Sequence, residues 1–178
     1  MGSGKREMIS YTCDMNEDGA LILFYPSLTQ FPLSTPRIRR SDLIENERLV
    51  DPVELVTRKP GSGDDGDASQ LAFKYYMYPN VIALVWNELN CWMRFPPHPN
   101  IVPFHSMVFD TISTFGKKGS NNTTLRDKVV GFTTCFVPGG TTLDAMSRPF
   151  RLAHLRQLIA AVDYLNLELG IAHGDITM

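Results

Sequence analysis

Residues 152–169 place the strongest constraint on the fold, because they form one long amphipathic pattern. Six apolar side chains recur at the spacing of a helix: Leu155, Leu158, Ile159, Val162, Leu165 and Leu169. Gly170 then provides the residue type that commonly ends a helix. Burial of six such side chains contributes on the order of 9–18 kcal/mol, which is comparable with the stability of a whole domain. We therefore expect this helix to dock on the rest of the chain or to be covered by a protein partner.

The composition excludes several classes of function. The 178 residues are 43% hydrophobic and 20% charged, with a formal net charge of −2, so nucleic acid and anionic membrane are not expected partners. The sequence has no run of 18 apolar residues without a charge, so a transmembrane helix is not predicted. Cys13, Cys91 and Cys135 lie too far apart to indicate a disulfide framework or a zinc site. These features predict an intracellular, cytoplasmic protein without a metal site.

Short apolar runs separated by turn residues predict strands along most of the chain. The predicted strands are residues 9–13, 20–25, 49–58, 71–76, 104–109 and 129–137, the first two of which form a hairpin. Between them, residues 81–95 have the apolar spacing of a helix that ends at Pro96. Residues 41–48 have the Ser N-cap and acidic first turn of a short helix. The basic residues 37–40 before it are predicted to be a solvated surface.

Residues 59–69 contain a literal G-x-G-x-x-G spacing at Gly61, Gly63 and Gly66. Three aspartates lie within the same stretch. Their negative charge would repel the phosphates that such glycine loops bind. We therefore interpret residues 59–69 as an acidic surface loop, and the glycine match as accidental.

Lys74 is the single charge in its predicted strand, and Glu88 follows 14 positions later as the only acid of the predicted helix. Lys74 is either an edge-strand lysine that extends into solvent or a lysine held for phosphate contact. Glu88 is either solvated or the ion-pair partner of Lys74 across the two elements. At the other end of the chain, the His-Gly-Asp of residues 173–175 is either a simple turn or a loop that places a carboxylate beside an attacking hydroxyl.

Five short motifs follow one another in a fixed order. They are Leu-Ala-Phe-Lys at 71–74, Glu88, His-Pro-Asn-Ile-Val at 98–102, Phe-Val-Pro-Gly-Gly at 136–140, and Gly-Ile-Ala-His-Gly-Asp at 170–175. In this order they resemble the small lobe, hinge and catalytic loop of a eukaryotic-type protein kinase. The chain is similar in particular to divergent kinase-like proteins of filamentous fungi, over about residues 48–178.

The resemblance implies an α+β fold. It predicts a kinase-like small lobe with an antiparallel sheet plus one helix, then a hinge and the first helices of an incomplete large lobe. Residues 1–47 are expected to be an N-terminal extension with a hairpin, and residues 48–137 the small lobe. Residues 138–178 would hold the hinge exit, the amphipathic helix and the start of the catalytic loop.

The resemblance also implies a site for ATP. Lys74 would contact the α- and β-phosphates, and Glu88 would hold Lys74 in place. Thr134 stands at the gatekeeper position in this comparison. The backbone of Cys135 and Val137 would face the adenine edge.

The last residues carry the implied catalytic loop. By the resemblance, Asp175 accepts the proton of a Ser or Thr hydroxyl, and His173 belongs to the same loop. Gly174 replaces the arginine that protein kinases usually have there. The chain ends before the Asn and the Asp-Phe-Gly segment that hold Mg²⁺ in an intact homologue. We therefore expect a truncated domain with little or no phosphotransfer activity.

Three functions remain open. The first is part of a protein Ser/Thr kinase-like transferase that binds ATP. The second is a pseudokinase fragment that acts as a protein-interaction module, with a partner on residues 152–169. The third is a small-molecule phosphotransferase, which residues 173–175 favour and residues 98–102 oppose.

Overall fold

Short runs of apolar and β-branched residues build one mixed sheet flanked by helices, so the fold is α+β. The computed structural model describes residues 25–50, 52–61, 69–75, 82–115, 123–139 and 151–172. Within these ranges the strands are β1 (Arg37–Arg39), β2 (Leu43–Val50), β3 (Val53–Arg58), β4 (Leu71–Tyr75), β5 (Phe104–Phe115) and β6 (Thr123–Cys135). The helices are α1 (Ile82–Trp92) and α2 (Leu152–Asp163), and a π-helical turn, Tyr164–Glu168, continues α2. Short 3₁₀ turns cover Leu28–Gln30 and Arg40–Asp42.

The six strands have the spatial order β1-β5-β6-β4-β3-β2. All neighbours are antiparallel except β1, which runs parallel to β5 and pairs Arg37 with Met107. The sheet as a whole is therefore mixed, whereas the strand pairs within residues 48–137, the predicted small lobe, are antiparallel as expected. A hairpin can join only antiparallel strands, whereas β1 reaches β5 from a distant part of the chain and is free to pair in parallel.

The predicted short helix at residues 41–48 is wrong. A single 3₁₀ turn, Arg40–Asp42, is followed directly by the strand β2. The Ser41 hydroxyl contacts the neighbouring Asp42 carboxylate, and Ser41 does not cap a helix. Pairing of β2 with β3 along most of its length outweighs the weak local preference for a helix turn.

The remaining described strands and α1 confirm the predicted elements, although their lengths differ. β5 and β6 extend beyond the predicted residues 104–109 and 129–137, because their polar outer arms pair with each other as far as Phe115 and Thr123. β4 covers only the C-terminal part of β6, from Gly131 to Cys135. The predicted strand at 9–13, most of the one at 20–25 and most of the acidic loop lie outside the described residues.

The hydrophobic core lies between the sheet and the segments packed on it. Its buried members are Tyr25, Leu28, Phe31, Ile38, Leu43, Val56, Leu71, Phe73, Leu89, Met107, Val108, Ile112, Val129, Val130 and Phe132. Five of these precede residue 48, so residues 25–47 are part of the same core as the predicted small lobe. The predicted boundary at residue 47 falls inside β2.

The amphipathic segment 152–169 is helical as predicted, and Gly170 follows it with a φ of 66°, the left-handed conformation expected after a helix end. Its apolar stripe is only partly covered. Leu165 is 7% exposed, whereas Leu155 and Ile159 are 39% and 50% exposed. The helix therefore docks mainly through its C-terminal half. In the described part of the chain, no helix is both long and apolar enough to cross a membrane.

Candidate functional site

The predicted ion pair between Lys74 and Glu88 is present. Lys74 Nζ donates to Glu88 Oε2 over 2.6 Å, joining the central strand β4 to α1. The side chains are 31% and 37% exposed, so both charged groups still reach solvent. An apolar strand and an apolar helix each contribute one charge, and these charges meet on the face of the sheet that α1 covers.

The surrounding packing fixes both partners. Leu89, next to Glu88, is fully buried and anchors α1 in the core. Trp86 of α1 packs edge-on against Phe31, with ring centroids 4.9 Å apart. Lys74 pairs across the sheet with Phe132 of β6 and with Val53 of β3. The ion pair is therefore held on one side by a helix that Leu89 anchors in the core and on the other by a central strand.

An open, mainly apolar cavity of about 630 Å³ lies next to β4. It is lined by Ala72, Trp92, Phe95, Asn100, Ile101, Val102, Thr134, Cys135, Phe136, Val137, Leu158, Ala161, Val162 and Leu165. Ala72 and Lys74 are two positions apart on β4, so their side chains lie on the same face of the sheet. The cavity therefore lies on the face of β4 that carries Lys74, although neither Lys74 nor Glu88 lines it.

Three residues of the predicted cofactor site line this cavity, namely Thr134 at the gatekeeper position and Cys135 and Val137 of the predicted adenine edge. The backbone N–H of Cys135 donates to the Pro103 carbonyl, and that of Phe136 donates to the Gln70 carbonyl, over 3.3 and 3.0 Å. These two bonds fix the segment after β6. The N–H of Val137 makes no backbone hydrogen bond to another described residue, so it can serve a ligand.

The loop at residues 98–102 attaches the cavity wall to the helical segment. The His98 ring stacks on Tyr164 with a centroid distance of 4.6 Å and an interplanar angle of 16°. The Asn100 backbone N–H donates to His98 Nδ1 over 3.2 Å, which orients the ring. The sequence motif at 98–102 indicated this loop, but nothing in the local pattern indicated Tyr164 as its partner.

The predicted catalytic residues His173 and Asp175 lie outside the described residues. The described chain ends at Ala172, where the Ile171 N–H donates to the Leu165 carbonyl over 2.8 Å. Within the described ranges, no three His, Cys, Asp or Glu side chains come together as candidate metal ligands. Cys91 and Cys135 are half-buried free thiols.

The three arginines within residues 37–40 bond to the protein itself, and of these Arg39 is exposed as the sequence predicted, whereas Arg37 and Arg40 are half-buried. Arg37 donates to the Phe31 and Pro32 carbonyls, and Arg39 donates to the Thr111 hydroxyl. Arg40 lies over the Phe73 ring, 4.9 Å from its centroid, and forms ion pairs with two glutamates, Glu45 and Glu54. Burial lowers the pKa of Arg40, and the attraction of Glu54 partly opposes that effect. These contacts argue against a basic recognition patch.

Comparisons with known proteins add no family assignment. Neither protein-family models nor curated proteins match the chain. The Lys74–Glu88 pair and the cavity next to β4 are therefore the basis on which a function can be assigned.

Proposed function

We propose that this chain forms the nucleotide-binding part of a protein kinase-like phosphotransferase domain of the Ser/Thr type. The observation that carries the proposal is the 2.6 Å contact between Lys74 Nζ and Glu88 Oε2, made across a strand and a helix, with an apolar cavity on the same face of the strand. In this proposal Lys74 contacts the α- and β-phosphates of ATP and Glu88 holds the ammonium in place. The free thiols Cys91 and Cys135 suit a reducing, cytoplasmic location.

The chemistry of the ion pair supports phosphate binding. An ammonium group has three N–H donors, and one bond to Glu88 leaves the others for phosphate oxygens. A partly exposed ion pair contributes little to stability, typically about 0–1 kcal/mol. The position of Lys74 in an otherwise apolar strand is therefore better explained by ligand binding than by folding.

The cavity supports binding of the base. Small-molecule sites typically have volumes of about 300–1,000 Å³ with apolar walls and a few polar groups, and this cavity has about 630 Å³. Thr134 adds a hydroxyl, while the chain from Cys135 to Val137 adds main-chain groups. The described residues provide no metal-ligand cluster, so we assign no step to magnesium. We retain His173 and Asp175 as the proposed catalytic loop.

A thermal-shift titration of the full chain with ATP tests the proposal. ATP at 100 times its dissociation constant should stabilise the folded protein by about 2.7 kcal/mol. The variant Lys74→Met should lose most of this shift but unfold, without nucleotide, within about 1 kcal/mol of the original chain. Lys59→Met is the matched control, because Lys59 is an exposed lysine after β3 that has no part in the proposed phosphate contact.

Two results would overturn the proposal. One is a folded chain whose unfolding temperature does not change with ATP, ADP or adenosine. The other is a Lys74→Met variant with the full ATP shift. If adenosine raises the unfolding temperature as much as ATP does, that result supports the base site but rejects the role of Lys74 in phosphate binding.

A protein-interaction module is the second candidate function. It is favoured by Leu152, Leu155 and Ile159, which are 62%, 39% and 50% exposed on one helix. If these side chains meet an apolar partner, Ile159→Glu should reduce the binding of a hydrophobic dye to the full chain without changing the ATP shift. Dye binding that persists unchanged in this variant would argue against the helix as the interaction surface.

A further inference from the structure

The segment before β1 is bound to the sheet at both of its ends. We call residues 25–36 the N-terminal strap. At its start, the backbone N–H of Val129 in β6 donates to the Pro26 carbonyl over 2.9 Å. At its end, the backbone N–H of Met107 in β5 donates to the Pro36 carbonyl, also over 2.9 Å. Since β5 and β6 are neighbouring inner strands, the middle of the strap is kept close to the sheet.

The middle of the N-terminal strap contacts α1. The Phe31 side chain is 6% exposed, and its ring packs edge-on against Trp86, with centroids 4.9 Å apart and an interplanar angle of 63°. The Arg37 guanidinium donates to the Phe31 and Pro32 carbonyls over 3.3 and 2.8 Å. Both the ring and the backbone of Phe31 are therefore held in place.

Phe31 and Lys74 contact α1 from nearly opposite sides. Trp86 and Glu88 are two positions apart on the helix, so their side chains leave its axis about 200° apart. Glu88 meets Lys74 of β4, whereas Trp86 meets Phe31 of the strap. The helix α1 is therefore confined between the strap and the strand.

The ion pair depends on this position of α1. Lys74 Nζ and Glu88 Oε2 are 2.6 Å apart, and such a hydrogen bond is lost once the two atoms are more than about 3.2–3.5 Å apart. A displacement of α1 by about 1 Å away from β4 is thus enough to break the contact. The Phe31 ring lies where Trp86 would move in such a displacement.

We propose that Phe31 is a positioning residue for phosphate binding. Through Trp86, it holds α1 at the distance from β4 at which Glu88 reaches Lys74. A residue buried only for stability would affect the whole fold evenly, whereas Phe31 controls this one contact in addition. The consequence for ATP rests on the proposed function, in which the paired Lys74 contacts the phosphates, but the effect on the ion pair itself does not.

The base and the phosphates of ATP depend on different elements in this proposal. The residues proposed to surround the base, Thr134, Cys135 and Val137, belong to β6 and the segment directly after it. These residues keep their place in the sheet when α1 moves. Loss of the Phe31 contact should therefore weaken the binding of the phosphates more than the binding of the base.

Acylation of Lys74 in the full chain tests the ion pair without any nucleotide. A succinimidyl ester reacts with lysine side chains, and mass spectrometry of the digested protein gives the rate at each lysine. The contact with Glu88 shields Lys74 Nζ, so Glu88→Gln gives the rate of the unpaired lysine. Phe31→Ala should raise the rate at Lys74 by at least about threefold, towards that of Glu88→Gln. Phe31→Leu keeps a large apolar side chain against Trp86 and should stay within about twofold of the original chain.

Ile38→Ala is the matched control, because Ile38 is 3% exposed and follows the strap, but pairs with Val108 of β5. It should destabilise the fold and leave the acylation rate at Lys74 within about twofold. Trp86→Leu tests the same contact from the side of α1 and should give the same rise as Phe31→Ala. Thermal unfolding verifies that each variant is folded, and Trp86→Leu decides the test if Phe31→Ala does not fold.

Isothermal titration with ATP and with adenosine tests the role in phosphate binding. Phe31→Ala should raise the dissociation constant of ATP by about five- to tenfold and that of adenosine by less than about twofold. Equal losses for the two ligands would overturn the proposal. An unchanged acylation rate at Lys74 in the folded variants, or an equal rise in Ile38→Ala, would also overturn it. If the original chain binds neither ligand, the proposed function fails, and acylation still decides whether Phe31 positions α1.

Discussion

Gly131 links the packing of the sheet to the position of Lys74. It lies in β6 opposite Tyr75 of β4, where the two strands approach closely. A Cβ atom at this position would lie against the Lys74 carbonyl oxygen, 2.8 Å from Phe73 Cε2 and 2.9 Å from the Tyr75 Cα. Two of these three atoms belong to the backbone, so no rotation of a side chain can relieve the contact.

We expect Gly131→Ala to lower the free energy of unfolding by about 1–3 kcal/mol, the usual cost of an overpacked site. Because the contact pushes on the Lys74 backbone, the ATP-induced shift should also decrease. Chemical denaturation with and without ATP measures both effects. Gly170→Ala is a suitable control. A Cβ at residue 170 would meet open space, but an alanine backbone there would have to adopt the strained φ of 66°. It should cost about 1–2 kcal/mol and leave the ATP shift intact. Unchanged stability of Gly131→Ala would contradict this account.

Some residues of the candidate site could be predicted from the sequence and others could not. Lys74 and Glu88 could be found because each is a lone charge in an apolar element, and such charges usually need a partner. Arg40 could not be distinguished from a solvated arginine, because its contacts with Glu54 and Phe73 come from strands that follow it in the chain. Trp92 of α1 and Leu158 of α2 line the cavity from two different helices. No local sequence pattern predicts how these two helices are placed relative to each other.

Among the elements, α2 and the turn after it show unequal docking along their length. Leu165 is almost fully buried and lines the cavity, whereas Leu152 at the helix start is 62% exposed. We expect Leu165→Ala to reduce the free energy of unfolding by about 2–5 kcal/mol, because it removes a buried side chain and leaves a void. Leu152→Ala should change it by less than about 0.5 kcal/mol.

Thermal and urea unfolding of the two leucine variants give these values directly. Similar losses for both would mean that the helix docks along its whole length, contrary to its exposure. Losses near zero for both would mean that the helix does not dock at all.

Strands and helices could be predicted where their buried side chains give the sequence a regular apolar pattern. β3, β4 and α1 have such patterns, since each presents apolar side chains to the core. β2 has none, because seven of its eight residues are exposed and only its hydrogen bonds to β3 make it a strand. The outer arms of β5 and β6 are rich in polar residues, so the sequence pattern did not predict their full lengths.

At the scale of the whole molecule, residues 25–47 belong to the sheet and its core. Tyr25, Leu28, Phe31, Ile38 and Leu43 are all buried, and their burial contributes on the order of 8–15 kcal/mol. That contribution is as large as the net stability of a typical domain. β1 and most of β2 also lie in this region.

We therefore expect a chain that begins at residue 48 not to fold, although the sequence pattern places a domain boundary there. Its circular dichroism should show no cooperative thermal transition, whereas the full chain should unfold in one. A shortened chain with a sharp transition near that of the full chain would show that residues 25–47 are dispensable.

The parallel pairing of β1 with β5 has a consequence for the order of events during synthesis. Ribosomes release the N-terminal residues first, at about 5–20 residues per second. The surface that covers Leu28, Phe31 and Ile38 includes β5 and β6, which end at residue 135. These apolar side chains therefore remain uncovered in the nascent chain until residues 104–135 have been made. Among the described strands, β1 is the first to be synthesised, yet it can be placed only after its partner β5.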